Sequence, residues 1–197
     1  MEHYFTQHQA SPLRLRKISE RIRGKEITIF LASGVFSSKR IDKGSRLLAE
    51  KAIIEDGWRV LDLGCGSGVI GIVIAKCYPK AKVVMVDINQ RAVDTAIMNA
   101  KLNKLDNCEI ILSNGFENVN GQFDAILFNP PQTAGKKLCF YLITQSKAKL
   151  KPGGVLQLVA RHNKGGKSLY NFMQEVFGNA QALAKSGGYR VYLSKNG

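Results

Sequence analysis

Three short stretches of this chain combine residue types that do chemistry when a fold brings them together. In the first, Val60-Leu61-Asp62-Leu63-Gly64-Cys65-Gly66-Ser67-Gly68, an apolar run passes into alternating glycines, and a helix-forming run follows at once. Glycines let the backbone turn tightly and let a ligand approach a helix N-terminus closely. Residues 66–71 satisfy G-x-G-x-x-G, so a nicotinamide dinucleotide must be weighed. The glycines fall late relative to the strand, however, and Asp62 stands at the mouth of the loop, where a carboxylate repels a pyrophosphate. A ligand that is cationic at that point suits Asp62 better. S-adenosylmethionine carries a sulfonium and an ammonium and no phosphate. The second stretch ends in Asp87, 25 residues after Asp62, where a carboxylate can accept both ribose hydroxyls of either cofactor.

The third stretch is Asn129-Pro130-Pro131-Gln132, directly after the apolar run 123–128. Two prolines fix their φ angles and give up two amide donors, which leaves nearby carbonyls as free acceptors in a rigid turn. Acceptors are what an exocyclic amine of a nucleobase needs, because its nitrogen lone pair is delocalised into the ring. The Asn129 side-chain carbonyl and the Pro130 backbone carbonyl would bind its two N–H groups and aim the lone pair at a methyl donor. A sulfonium is already an activated leaving group, so no strong general base is required. His3, His8 and His162 have no partner spacing and are expected at the surface.

Short apolar runs alternating with amphipathic ones must position these groups. Strands are expected at 59–63, 82–87, 109–112, 123–128, 155–160 and 189–193, with helices at 69–76, 91–103, 136–150 and 168–177. This alternation predicts a doubly wound α/β sheet. Lys-Pro-Gly-Gly at 151–154 reads as a stop and turn. Residues 1–54 differ in character: a basic helix is expected over 11–23, a short apolar run over 27–31, and a helix beginning at Asp42 as N-cap. This extension is expected to pack on the core of a domain spanning 55–197. Gly165-Gly166-Lys167-Ser168 ends like a phosphate-binding loop, but Arg161 stands where that motif needs glycine, so a basic turn is expected.

The 197 residues carry 29 Lys and Arg against 15 Asp and Glu, a net charge of +14, and 45% are hydrophobic. This composition excludes a disordered or fibrous chain. No apolar run is long enough for a membrane span, and the N-terminus lacks a signal-peptide pattern, so a cytoplasmic protein is expected. Cys65, Cys77, Cys108 and Cys139 form no C-x-x-C pair and are expected as packed thiols, with no metal site. The charge is uneven: residues 1–54 carry +6, residues 55–125 carry −2 and residues 126–197 carry +10. A polyanion entering over the Asn-Pro-Pro turn accounts for this asymmetry. Lys136, Lys137, Arg161, Lys164 and Lys167 are candidate phosphate contacts, and Arg14, Arg16, Lys17, Arg21 and Arg23 a second basic arm.

Together these stretches resemble class I S-adenosylmethionine-dependent methyltransferases. The run Ser33-Gly34-Val35-Phe36-Ser37, then Asp42-Lys43-Gly44-Ser45 and Leu47-Leu48, is similar to the segment preceding the catalytic domain in the "methyltransferase small" family. That family includes small-subunit ribosomal RNA guanine-N2 methyltransferases and short stand-alone archaeal relatives. The resemblance implies a Rossmann-like sheet of seven strands, the last antiparallel. It further implies that Asp62, Gly64, Gly66 and Gly68 hold the methionine moiety, Asp87 the ribose, and Asn129 with Pro130 the target amine, with Ile88 and Asn129 counted among the cofactor contacts and Pro131 among the catalytic residues. Where relatives place an acidic residue against the adenine amine this chain has Ser113-Asn114-Gly115, in which Asn114 offers an acceptor carbonyl. Gln132 replaces the aromatic ring that stacks on a flipped base in many amine-methylating enzymes, leaving a hydrogen bond to a base edge. The function expected is methylation of an exocyclic base amine, guanine N2 in ribosomal RNA. A non-catalytic RNA-binding assembly factor, or an enzyme acting on protein or small-molecule amines, is the alternative. The oligomeric state is open, with a monomer favoured.

Overall fold

Apolar residues alternating between two faces of each strand sort the core into two layers around one sheet. The computed structural model describes residues 12–131 and 135–197. Its elements are β1 (Leu15–Ile22), β2 (Lys25–Ala32), α1 (Lys43–Lys51), β3 (Arg59–Leu63), α2 (Val69–Cys77), β4 (Lys82–Asp87), α3 (Gln90–Leu102), β5 (Cys108–Leu112), β6 (Phe123–Phe128), α4 (Gly135–Lys149), β7 (Leu150–Arg161), α5 (Lys167–Phe177), β8 (Gln181–Ser186) and β9 (Tyr189–Lys195). Seven strands form a sheet in the order β5-β4-β3-β6-β7-β9-β8. The first five of these run parallel, β9 is antiparallel to β7, and β8 is antiparallel to β9. Along β3, Val60 joins the layer under α1, α2 and α3, whereas Leu61 and Leu63 join the layer under α4 and α5. Chain direction across the sheet reverses between β3 and β6, and the crevice at the carboxyl ends of such strands is where ligands of open α/β sheets bind.

The doubly wound seven-stranded sheet agrees with expectation, while the N-terminal segment differs. Residues 15–22 form a strand instead of part of a basic helix over 11–23, pairing with β2 in an antiparallel hairpin from Leu15↔Ala32 to Ile22↔Lys25. Arg23 and Gly24 make its two-residue turn with φ of 51° and 74°, the doubly left-handed geometry that matches strand twist. The residues Ile18, Glu20 and Ile22 alternate at period two, and the scattered basic residues disguise it as a helical face. Ser19 and Thr28 share a hydroxyl hydrogen bond across the pair at 2.8 Å.

The second edge of β2 is closed by side chains. On α3, Asn99 accepts from the Phe30 N–H at 2.7 Å and donates to the Phe30 carbonyl at 2.8 Å. One helical turn later, Asn103 donates to the Thr28 carbonyl at 2.7 Å. Amide side chains four residues apart thus meet backbone groups two residues apart on a strand, because both spacings are close to 6 Å. Ile22, Ile27, Ile29 and Leu31 pack in the same cluster as Val60, Ile72 and Met85.

Two further differences concern the C-terminal half. Lys-Pro-Gly-Gly at 151–154 lies inside β7 as an irregularity opposite Phe123 and Ala125, not as a turn. Gly153 takes a left-handed φ of 78° there, and the run is held beside the end of β9 because the Gly153 N–H donates to the Asn196 carbonyl at 2.7 Å and the Gly154 carbonyl accepts from the Asn196 N–H at 2.8 Å. Strand β8, unseen in the sequence for want of apolar alternation, is joined to β9 by Gly187 and Gly188, whose φ of 52° and 81° form the same kind of hairpin turn.

Candidate active site

Loop, strand ends and prolines meet in one cleft of about 860 Å³, counted out to its open mouth, at the carboxyl ends of β3, β4 and β6. Gly64, Gly66, Asp87, Ile88, Asn114, Asn129, Pro130 and Pro131 all line it. Gly64, Gly66 and Gly68 have φ of 70°, 56° and 81°, so the chain leaves β3 through three left-handed residues before α2 begins. A Cβ on Gly64 would meet nothing within 4 Å; a side chain there would occupy the cleft itself.

Asp62 and Gly68 lie behind this surface. Asp62 is 1% exposed, and its Oδ2 accepts from the Gly71 N–H of α2 at 2.8 Å. Its Oδ1 is buried with no hydrogen-bond partner. Burial, above all, pushes its carboxyl up to about 7, the Gly71 N–H opposes this, and the Asp87 charge adds to it. The folded protein therefore keeps a proton on Asp62 up to about pH 7, whereas a free aspartate loses it near 3.8. Between these values the native state binds more protons than the unfolded chain, so stability falls as pH rises through the window. We expect Asp62→Asn to flatten this fall, which amounts to at most about 1.4 kcal/mol per pH unit. Urea midpoints measured from pH 4.5 to 8 on both proteins check it; parallel curves would refute it.

Asp87 is the best-held carboxylate of the cleft. Oδ2 accepts from the Gly66 N–H at 2.8 Å and Oδ1 from the Asn89 N–H at 2.9 Å, which ties the end of β4 to the glycine loop. Burial raises its pKa, against the pull of the Asn89, Gly66 and Ile88 amides. Asn89 caps α3 by accepting from Arg91 and Ala92 N–H groups, and its Nδ2 donates to Gly34 at 2.9 Å. Arg91 donates to the neighbouring Ser33 carbonyl. These bonds lay Val35 and Phe36 against the cleft opposite the sheet, a contribution of the N-terminal segment that sequence reasoning missed, though it had singled out Ser33–Ser37. Asn114 donates its Nδ2 to Glu117 at 2.8 Å, which leaves its carbonyl as the acceptor.

Asn129 Nδ2 donates to Ser45 Oγ at 2.8 Å and to Asp42 Oδ2 at 3.2 Å. Asp42 also caps α1, as expected, by accepting from the Gly44 and Ser45 N–H groups. Gln132 lies outside the described residues, as do His3 and His8.

The basic candidates divide. Lys136 and Lys137 are exposed at the start of α4, beside the cleft residue Leu138. Lys164 and Lys167 are exposed in the turn beyond β7 and at the start of α5. Arg161 is half-buried with its guanidinium over the Tyr189 ring, 5.1 Å from the centroid. Arg14, Arg16, Lys17 and Arg21 are exposed on or beside β1. Arg23 instead turns inward: it donates to Glu50 and Ala52 carbonyls and to the Tyr78 hydroxyl, tethering the hairpin to the body. His162 is half-buried, its Nδ1 2.7 Å from the Tyr192 hydroxyl, rather than free at the surface. Among the described residues all four cysteines are free thiols, and no group of three or more acidic, His or Cys side chains gathers to hold a metal.

The family pattern described as "Methyltransferase small domain" matches residues 26–193. The chain belongs to this family. Its match begins inside the hairpin, so the family's defining unit includes part of the N-terminal segment of this small-domain methyltransferase. Bacillus subtilis YbxB is 36% identical over 98% of both chains. Ribosomal RNA small subunit methyltransferase C of Haemophilus influenzae is 36% identical over 87% of this chain but 52% of its own length. Among solved structures, the Thermus thermophilus 16S rRNA N2 G1207 methyltransferase RsmC, in complex with AdoMet and guanosine, superposes with a TM-score of 0.80 and 28% identity, over 96% of this chain and 53% of that one. The present chain thus spans about half the length of these ribosomal RNA enzymes. No helix among the described residues is long and apolar enough to cross a membrane.

Proposed function

We propose that this small-domain methyltransferase transfers a methyl group from S-adenosylmethionine to an exocyclic amine of a nucleobase, guanine N2 in ribosomal RNA. The observation that carries this reading is the convergence of Gly64, Asp87 and Asn129-Pro130-Pro131 on one cleft. The residues fit the cofactor: the side-chain-free wall at Gly64 leaves room for it, and Asp87 at the end of β4 lines the same cleft with a carboxyl group suited to hydroxyl donors. When bound, the cofactor supplies an electrophilic methyl on a sulfonium. Asp87 would accept from the ribose hydroxyls, and Asn114 would accept from the adenine amine. Asn129 Oδ1 and the Pro130 carbonyl would accept the two N–H groups of the target base, holding its nitrogen toward the methyl and excluding water from its lone pair. The proton lost after transfer leaves from an already cationic amine and needs no strong base. The two ribosomal RNA relatives support this choice of substrate.

Tritiated methyl transfer to RNA and protein fractions, followed by nucleoside mass spectrometry, tests the reading. N2-methylguanosine is the expected product; label confined to protein or small molecules overturns the substrate. Lys136→Glu with Lys137→Glu should weaken RNA binding and lower the steepness of its salt dependence by about two phosphate contacts, while leaving cofactor affinity unchanged. An unaltered salt slope removes these lysines from the RNA path.

A further inference from the structure

Asp42 does more than cap a helix. Its Oδ2 receives the Gly44 and Ser45 backbone amides at 2.8 and 3.0 Å, which satisfies the first turn of α1. The same oxygen also receives Asn129 Nδ2, from a residue 87 positions away. Ser45 Oγ takes Asn129 Nδ2 as well, at 2.8 Å, and that hydroxyl has no part in the cap. Ser45 is only 8% exposed, so this bond is sheltered from water. Gly44 makes room for the arrangement: a Cβ there would stand 2.9 Å from Asp42 Oδ2 and 3.0 Å from the Tyr189 ring.

A primary amide is planar, so committing its nitrogen to two acceptors fixes both the plane and the direction of its oxygen. Flipping Asn129 would turn Oδ1 toward the Asp42 carboxylate, where two acceptors face each other without a proton. One orientation survives. Among the described residues Asn129 Oδ1 takes no hydrogen bond, and the residue lines the cleft. Donation to a carboxylate also pushes electron density onto the amide oxygen, which makes it a stronger acceptor.

From this we infer that Asp42 and Ser45 are positioning residues for Asn129, holding its carbonyl toward the incoming amine and strengthening it, so that the N-terminal segment completes the methyl-transfer site. The inference rests on the reading of Asn129 as the acceptor for the target amine. It also gives the segment ahead of the sheet a task in turnover as well as in folding.

The full chain bearing Asp42→Asn or Ser45→Ala tests it, since Asn caps a helix as well as Asp does. Tritiated methyl transfer to in vitro transcribed small-subunit ribosomal RNA should show kcat lowered about tenfold in each variant. Calorimetric affinity for S-adenosylmethionine should stay within about twofold. In an Asn129→Ala background either substitution should change the residual rate by less than about twofold, because the group they orient is gone. Full additivity in that cycle, or a loss of cofactor affinity matching the loss of rate, overturns the inference. If the wild-type chain methylates no RNA, the proposed function fails but the hydrogen bonds remain measurable. The Asn129 side-chain amide signals in ¹⁵N-resolved NMR, identified by their disappearance in Asn129→Ala, should move in both variants. Unmoved signals overturn the positioning role independently of activity.

Discussion

Replacing Asn129 by alanine is expected to lower kcat for methyl transfer at least about 10³-fold, equivalent to about 4 kcal/mol of transition-state stabilisation. The carbonyl that would shape the target nitrogen is removed, while Gly64, Gly66 and Asp87, the residues proposed to hold the cofactor, remain. Cofactor affinity should therefore change by no more than a few-fold. The fold should also survive: Asp42 keeps the Gly44 and Ser45 amides, so the loss amounts to about 1 kcal/mol for the missing hydrogen bonds. Single-turnover transfer, calorimetry and thermal melting on one preparation separate the three quantities. Retention of full transfer by Asn129→Ala would sink the mechanism.

Asp87→Ala should fail in the complementary way. Its two oxygens hold the Gly66 and Asn89 amides, so truncation removes the acceptor proposed for the ribose and loosens the glycine loop at the same time. A loss of cofactor affinity of at least about 100-fold is expected, close to 3 kcal/mol. At saturating cofactor, kcat should recover to within about tenfold of wild type, since Asn129 and its partners are untouched. The cost in stability should be small, because orphaning two amides is offset by removing a buried carboxylate whose pKa burial raises. Titration calorimetry of the variant decides the matter; wild-type affinity would take Asp87 out of the cofactor site.

The expected behaviour of the two variants would divide the cleft into a half proposed to hold the donor and a half proposed to hold the acceptor. The division follows the sheet: Asp87 ends β4 and Asn129 ends β6, on either side of β3. A third element, the segment from Ser33 to Ser45, closes over both halves through Asn89, Arg91 and Asn129.

The sheet and the positions of the motifs could be read from the chain because each depends on local information. A parallel strand is a short apolar run, a crossover helix a longer amphipathic one, and both signals are carried by consecutive residues. Thus β3, β4, β6 and the N-cap of α1 fall where patterning places them, and Gly64, Asp87 and Asn129 fall at strand ends. The hairpin β1–β2 was hidden because its alternation covers few residues and its basic side chains imitate a helical face. Strand β8 was hidden because Gln181–Ser186 is half exposed and its pairing with β9, not its own composition, makes it a strand.

What the sequence by itself determined is the order of the elements, the doubly wound sheet, and which residues stand at the carboxyl ends of β3, β4 and β6. Only the tertiary structure decided which of the conspicuous residues face the cleft. Asp62 and Gly68 sit behind it, and Arg23 serves as a tether rather than in a basic arm. It also decided that Asp42 and Ser45 meet Asn129. The reason is physical: propensity and periodicity act between neighbours in the chain, whereas the Asn129 and Asn99 amides find their partners 87 and 69 residues away. No pattern along the chain records such a meeting, which exists only once burial has brought the segments together.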